Sequence, residues 1–276
     1  MSQDKAIEFK DVSFRTTKVE ILRDVNWSIN RGAMAVILGP NGCGKTTLLR
    51  LITGYLWPSE GSVATLGCEL GSVDVHSLRR RLGIVDPSAV ALLDANMTAL
   101  DVVLTGFFGT LTIYFDRPTR TQVEIARKAM HEVGLFEKDN QNFQTLSTGE
   151  QRRILLARAM VGRPEMLILD EACAGLDLLS RETLLATVWK MHSARPDMTL
   201  LVVTHHIEEV LPTATDVLLM REGKIVGSGS PNELLTNEPV SKAFGCAVEV
   251  SRIGERWTWS VTPEIWEGLL SGGKAT

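Results

Sequence analysis

The stretch Ala35-Val36-Ile37-Leu38-Gly39-Pro40-Asn41-Gly42-Cys43-Gly44-Lys45-Thr46-Thr47 decides the fold. Four apolar residues run straight into a glycine-rich loop of the form G-x-x-x-x-G-K-[ST]. The apolar run reads as a buried strand, and Thr47-Leu48-Leu49-Arg50-Leu51-Ile52 reads as the helix that leaves the loop. A Cβ at Gly39, Gly42 or Gly44 would obstruct a phosphate, whereas bare glycines let backbone N–H groups converge on the anion, assisted by the helix dipole. Lys45 supplies a point charge for the β- and γ-phosphates, and Thr46 a hydroxyl for Mg²⁺. Pro40, Asn41, Cys43 and Thr47 complete the loop. The pattern implies binding of ATP or GTP, since the four fixed positions match by chance in roughly one chain in a hundred of this length.

With 276 residues, 44% of them hydrophobic and 22% charged, the chain can bury a large core rather than remain disordered. A formal net charge of −4 argues against a general nucleic-acid surface, so no nucleic-acid partner is expected. The cysteines Cys43, Cys68, Cys173 and Cys246 form no C-x-x-C pair, which suggests neither a zinc site nor a disulfide framework and fits a reducing cytoplasm. Cys43 beside a helix start has a route to thiolate reactivity, but it is read as a passive loop residue. The first residues, Met1-Ser2-Gln3-Asp4-Lys5, lack a leader's basic-then-apolar pattern. The longest mostly apolar stretch, Val102 to Phe115, falls short of the roughly 20 residues that span a bilayer. A soluble chain is expected, with any membrane role supplied by a partner.

Ahead of the loop, Ala6 to Phe14 and Val25 to Ile29 alternate in the manner of half-buried antiparallel strands. Glu165 to Asp170, Thr199 to Thr204 and Val217 to Met220 are continuous apolar runs, as expected of parallel strands covered on both faces. A helical pattern from Glu182 to His192 lies between the first two, giving an α/β order. From about Ala89 to Ala159 helical periodicity dominates, clearest in Thr121 to Met130, and reads as an inserted helical lobe. The nucleotide-binding domain is expected over residues 1–240. A C-terminal extension over 241–276 should hold a short hairpin, with Ala247 to Val250 and Trp257 to Val261 flanking Ile253-Gly254-Glu255, and a helix. Trp257 and Trp259 share a strand face, either as a small satellite core or as a ligand surface.

Phosphoryl transfer needs a metal ligand at a strand end and a group that orients or deprotonates the attacking water. Asp170 and Glu171 end the apolar run at Leu169 and supply both: Asp170 toward Mg²⁺, Glu171 toward the water.

Later residues carry a resemblance. Leu146-Ser147-Thr148-Gly149-Glu150-Gln151-Arg152-Arg153 is similar to L-S-G-G-Q, the signature of the ATP-binding cassette (ABC) ATPases. Ala174-Gly175-Leu176-Asp177 resembles that family's D-loop, and His205, after a strand ending in Thr, resembles its switch histidine. The resemblance covers roughly Ala6 to Glu233, with the motifs in the family's order. It implies an α/β P-loop NTPase (RecA-like) core with an antiparallel β subdomain and a helical lobe. It implies ATP and Mg²⁺ as cofactors, Glu171 as the base, and His205 as a γ-phosphate sensor. Ser147 and the Gly149 backbone, at a helix start, form an anion site that in the family serves ATP held by the other subunit. One loop and one signature per chain imply a head-to-tail homodimer, or a heterodimer with a related subunit.

Three departures stand out. Thr148 and Glu150 replace a glycine and a glutamine of the signature. Leu82-Gly83-Ile84-Val85-Asp86-Pro87-Ser88 lacks the family's Q-loop glutamine, leaving Asp86 or Ser88 to take its contact. Thr16 stands where an aromatic residue stacks on adenine; Phe14 either substitutes or belongs to the core.

The resemblance implies the ATP-hydrolysing subunit of a transporter, peripheral on the cytoplasmic membrane face and docked to separate transmembrane permease subunits. Phe107 to Phe115 in the lobe reads as lobe core or as a docking surface. The missing glutamine motivates an alternative, a soluble ABC ATPase acting as a regulator or assembly factor. Neither the transported substance nor its direction is written in the chain.

Overall fold

The computed structural model of the chain describes residues 5–72, 74–111 and 117–261. In chain order its strands are β1 (Lys5–Arg15), β2 (Glu20–Asn30), β3 (Met34–Leu38), β4 (Glu60–Thr65), β5 (Cys68–Glu69), β6 (Leu82–Val85), β7 (Met166–Asp170), β8 (Thr199–Thr204), β9 (Asp216–Arg221), β10 (Lys224–Gly229), β11 (Glu249–Ile253) and β12 (Arg256–Ser260). The helices are α1 (Lys45–Ile52), α2 (Val75–Arg79), α3 (Ala99–Leu104), α4 (Arg120–Glu132), α5 (Thr148–Val161), α6 (Leu178–Ser193), α7 (Pro231–Leu234) and α8 (Asn237–Phe244). They divide into two compact units, residues 1–73 with 201–276, and residues 74–200.

In the first unit β1 pairs antiparallel with both β2 and β4, and alternate positions Ile7, Phe9 and Ile29 are buried. Phe9 faces Trp27 across the pair with ring centroids 6.2 Å apart, a cross-strand aromatic contact. The register shifts between Phe9 and Val12, where Asp11 adopts a left-handed φ of 51° and its N–H donates to Asn26 Oδ1 at 2.9 Å. In the same unit β3 pairs parallel with β9, and all five residues of β3 are buried. Continuous burial of Met34-Ala35-Val36-Ile37-Leu38 is what a parallel strand covered on both faces requires.

In the second unit β6 pairs parallel with β7, from Leu82 opposite Met166 to Val85 opposite Leu169. Arg81, just before β6, makes a two-pronged ion pair with Glu165, just before β7, at 2.6 and 2.8 Å, which fixes this register from outside. Helix α5 packs against α3, α4, α6 and β6. Thr98, Thr119 and Ser147 each close a capping box at the start of α3, α4 and α5 respectively.

Local boundaries differ from the sequence expectation at several elements: β2 starts at Glu20 rather than Val25 and α6 at Leu178 rather than Glu182. Helix α1 begins at Lys45 rather than Thr47, because the first turn is made by the polar end of the phosphate-loop motif, which apolar periodicity does not register. Strand β11 runs over Glu249–Ile253, with Gly254 and Glu255 alone as the turn; polar Ser251 and Arg252 pair across to Thr258 and Trp257. Trp259 meets Phe244 edge-on at 4.6 Å and Arg252 lies 5.2 Å above Trp257, so both tryptophans are engaged by the chain itself. The expected C-terminal helix lies outside the described residues, and Phe107 to Phe115 is described only as far as Leu111. No helix among the described residues is long and apolar enough to cross a membrane.

Candidate functional site

In the first unit β3 delivers the glycine loop to the start of α1. A Cβ at Gly39 would come within 2.4 Å of the Met220 carbonyl of β9, so this close approach admits only glycine. Gly44 caps α1 at φ 111°, offers no side chain to the first-turn N–H groups, and no acidic residue follows in that turn. The end of α1 is therefore positive and without a carboxylate of its own, which suits a phosphate. Lys45 is only 5% exposed, and its ammonium donates to the carbonyls of Gly39 at 2.8 Å and Pro40 at 3.1 Å. Thr46, Asn41 and Gly42 are exposed, Pro40 and Thr47 half-buried, and Cys43 buried. That burial removes the Cys43 thiol from solvent and fits its passive reading.

The same unit carries His205, half-buried after the fully buried β8, with its ring 4.1 Å from that of His206. The His206 N–H donates to the Thr204 hydroxyl at 3.0 Å, and a single 3₁₀ turn over Ile207–Glu209 follows. Thr16 is held in a local turn by its hydroxyl and Val19, while Phe14 is half-buried opposite Leu22. No aromatic ring thus stands at position 16.

In the second unit Asp170 closes β7 half-exposed, and Glu171 follows with a left-handed φ of 46°. A non-glycine residue there carries strain of about 1 kcal/mol or more, and such strain gathers at functional positions. The Ala174 N–H donates to the Glu171 carbonyl at 3.0 Å, closing the turn that leads to Asp177. Asp177 caps α6 by accepting from the Ser180 N–H at 2.8 Å and hydroxyl at 3.0 Å, bonds that hold its carboxyl below the usual range.

Ser147 caps α5, accepting from the Glu150 N–H at 3.3 Å, while the Glu150 carboxylate accepts from the Ser147 N–H and hydroxyl, both at 2.9 Å. The expected anion site thus already holds an anion of its own. These bonds, led by the Ser147 N–H, keep the Glu150 carboxyl below its ordinary range, and Lys138 at 3.2 Å adds to the effect. A Cβ at Gly149 would lie 2.7 Å from Ser180 Oγ, so the signature glycine is also the contact of α5 with the first turn of α6.

At the position of the absent glutamine the Asp86 carboxylate accepts from the Ser88 N–H and hydroxyl, each at 2.8 Å. The two candidates for that contact are therefore one bonded pair. Sequence reasoning missed Ser180 and Arg152. An Asp-x-x-Ser cap pattern over Asp177 to Ser180 is a signal for the first; Arg152 carries no signal beyond its place in the signature.

The family model described as ABC transporter matches residues 22–174. An uncharacterised ABC transporter ATP-binding protein, YmeB, of Lactococcus lactis subsp. lactis (strain IL1403) is 34% identical over 252 residues, covering 91% of this chain and 96% of that one. Among solved structures, cbiO1 from Clostridium perfringens, part of the ABC transporter complex cbiONQ, is similar with a TM-score of 0.73 at 25% identity, over 87% of this chain and 94% of that one. A dimeric post-hydrolysis state of the ATP-binding cassette MJ0796, bound to ADP and Pi, matches with a TM-score of 0.70 at 25% identity, over 81% of this chain and 98% of that one.

Proposed function

Because the chain belongs to the ATP-binding cassette (ABC) transporter family, we propose that it is the subunit that binds and hydrolyses ATP to drive transport through separate membrane subunits. The observation that carries this reading is the β3–loop–α1 segment, where a buried ammonium and a helix start without a side-chain cap are ready for phosphate.

Each proposed role follows from a group's chemistry. Lys45 and the loop from Gly39 to Thr47 bind the β- and γ-phosphates. Glu171 orients and deprotonates the attacking water, and His205 contacts the γ-phosphate. Mg²⁺ prefers oxygen ligands and keeps several waters, so the Thr46 hydroxyl and the Asp170 carboxylate suit it, with phosphate oxygens and water completing its shell. Bound Mg²⁺ would offset the developing phosphate charge.

The proposed assembly is a head-to-tail pair of chains in which Ser147 and Gly149 of one face the nucleotide of the other. The dimeric cassette among the structural neighbours supports it. Its proposed station is the cytoplasmic face of a membrane, against permease subunits, as the membership of cbiO1 in a larger transporter complex suggests.

The test is affinity purification of the tagged chain from gently solubilised membranes of its native host, together with Glu171→Gln. Stoichiometric recovery of a polytopic membrane protein supports the transporter reading; recovery of soluble partners alone favours a regulator. Glu171→Gln should bind ATP and accumulate as a dimer while hydrolysis falls by about a hundredfold or more. Undiminished turnover removes Glu171 from the base role.

A further inference from the structure

Arg256 opens β12, and its Nη2 donates to the carbonyl of Glu208. Glu208 lies in the 3₁₀ turn over Ile207–Glu209 that follows His205 and His206, and β12 packs against that turn. The C-terminal hairpin and the candidate γ-phosphate sensor therefore meet within the first unit.

The turn has little else to hold its outer side. A 3₁₀ turn of three residues is closed by few bonds of poor geometry. Here they run from the Glu209 N–H to the His206 carbonyl at 3.2 Å and from the Val210 N–H to the Ile207 carbonyl at 3.1 Å. Ile207 and Val210 are fully buried, which fixes the inner side by packing. The Glu208 carbonyl is one of the acceptors that a short helix does not satisfy from within. A guanidinium bond to it is charge-assisted and stronger than either bond of the turn itself. His206 is the residue on which the turn starts, and its ring lies 4.1 Å from that of His205. The path from Arg256 to His205 is thus one hydrogen bond, one short turn and one ring contact.

The hairpin is in turn tied to the phosphate loop. Trp259 of β12 meets Phe244 of α8, the Val250 N–H of β11 donates to Asn237 Oδ1 at 2.8 Å, and the Val248 N–H donates to Ser241 Oγ at 3.0 Å, Asn237 and Ser241 both lying on α8. The carbonyl of Lys242, near the end of α8, accepts from Arg221 Nη1 at 2.8 Å. Arg221 closes β9 beside Met220, whose carbonyl leaves no room for a Cβ at Gly39. Two residues further on, the Gly223 N–H donates to the Cys43 carbonyl of the phosphate loop at 2.9 Å.

We propose that Arg256 is a positioning residue for His205, and that the C-terminal hairpin is the strut that sets this histidine against the phosphate loop. The consequence for turnover rests on the ATPase reading above, whereas the hold on the turn does not.

Hydrogen exchange of residues 207–210 in the nucleotide-free full chain reads the hold directly, and steady-state turnover reads its consequence. Arg256→Met should speed exchange of this segment roughly tenfold while Val250, bonded to Asn237, keeps the parental rate. Arg256→Lys keeps a charged donor and should stay within about threefold of the parent. In turnover, Arg256→Met should lower kcat about fivefold with KM for MgATP within about twofold, and Arg256→Lys should recover most of the loss. On a His205→Ala background, Arg256→Met should change the residual kcat by less than about twofold, because its effect passes through that ring. Unchanged exchange at 207–210, or equal acceleration at Val250, overturns the hold, the second outcome making Arg256 a stabiliser of the hairpin alone. A parental kcat in Arg256→Met, or the full loss repeated on the His205→Ala background, overturns the link to His205. An inert parent chain sinks the ATPase reading and leaves the exchange result to decide the hold.

Discussion

The Glu150 carboxylate accepts hydrogen bonds from both the N–H and the hydroxyl of Ser147 at 2.9 Å, so the start of α5 is occupied by a charge belonging to the same helix. A glutamine at position 150 would make the same capping box without a charge. In the proposed dimer the γ-phosphate of the partner's nucleotide approaches this helix end, and it must either displace the Glu150 carboxylate or pay for its proximity. The same carboxylate already pairs with half-buried Lys138 at 3.2 Å, a contact that can hold it when it leaves Ser147.

Glu150→Gln should therefore strengthen ATP-dependent pairing. Removing one charge near a helix end is worth about 0.5–1 kcal/mol, roughly two- to fivefold in the ATP concentration at which a Glu171→Gln chain becomes half dimeric. Analytical ultracentrifugation across an ATP series measures it, and the gap should narrow with added salt. Equal or weaker pairing would mean that no phosphate comes near Ser147.

Gly149→Ala places a Cβ 2.7 Å from Ser180 Oγ and 2.9 Å from Ser180 Cβ, and those atoms are fixed because Asp177 holds the Ser180 N–H and hydroxyl. Overpacking of this kind costs about 1–3 kcal/mol. Ser180→Gly clears both clashing atoms, so the double variant should be more stable than Gly149→Ala alone in urea unfolding. Simple addition of the two losses would show that the contact is not what makes position 149 a glycine.

Acid should weaken the fold through the capping carboxylates. Glu150, Asp177 and Glu233 all have folded pKa values lowered chiefly by bonds from Ser147, Ser180 and Ser230 respectively. A carboxylate lowered on folding contributes stability that is complete above its unfolded pKa and lost as pH falls through its folded value. Against the ordinary values of 4.5 for Glu and 3.8 for Asp, stability should be level from pH 7 to about 5 and then decline. Thermal melts at stepped pH follow it. Glu150→Gln should shallow the decline, because it removes one of the titrating carboxylates; an equally steep curve would assign the acid sensitivity elsewhere.

How legible these features were in the sequence depended on how local they are. The loop from Gly39 to Thr47 and the Asp170-Glu171 pair are written within a dozen residues each, next to apolar runs that fold as β3 and β7. The helix starts at Thr119 and Ser147 follow from capping residues three positions apart. By contrast, Gly149 against Ser180, and Gly83 against Ala159, join residues that no period links, and they appear only once α5 is seated. The left-handed backbone of Glu171 is hidden for another reason: nothing in the identity of a glutamate asks for it, and the surrounding turn imposes it. The occupied start of α5 stood between the two cases. Ser147 and Glu150 resemble a signature serine and a substituted glutamine, and their three-residue spacing also spells a capping box.

Lys45→Ala removes a cation that is 5% exposed and donates to two loop carbonyls at 2.8 and 3.1 Å. In the nucleotide-free chain this leaves the buried Gly39 carbonyl without that donor, a loss of about 1–3 kcal/mol, so the melting temperature should fall by a few degrees. Toward nucleotide the loss is larger, because the ammonium supplies charge-assisted bonds worth about 2 kcal/mol, roughly thirtyfold in affinity. Lys45→Arg should not restore binding: a planar five-donor fork cannot take the place of a compact ammonium enclosed by the Gly39 and Pro40 carbonyls. Isothermal titration with a slowly hydrolysed ATP analogue separates the cases. Parental affinity in Lys45→Ala would remove this loop from phosphate binding, and parental affinity in Lys45→Arg would show that charge alone, rather than its compactness, is what the loop requires.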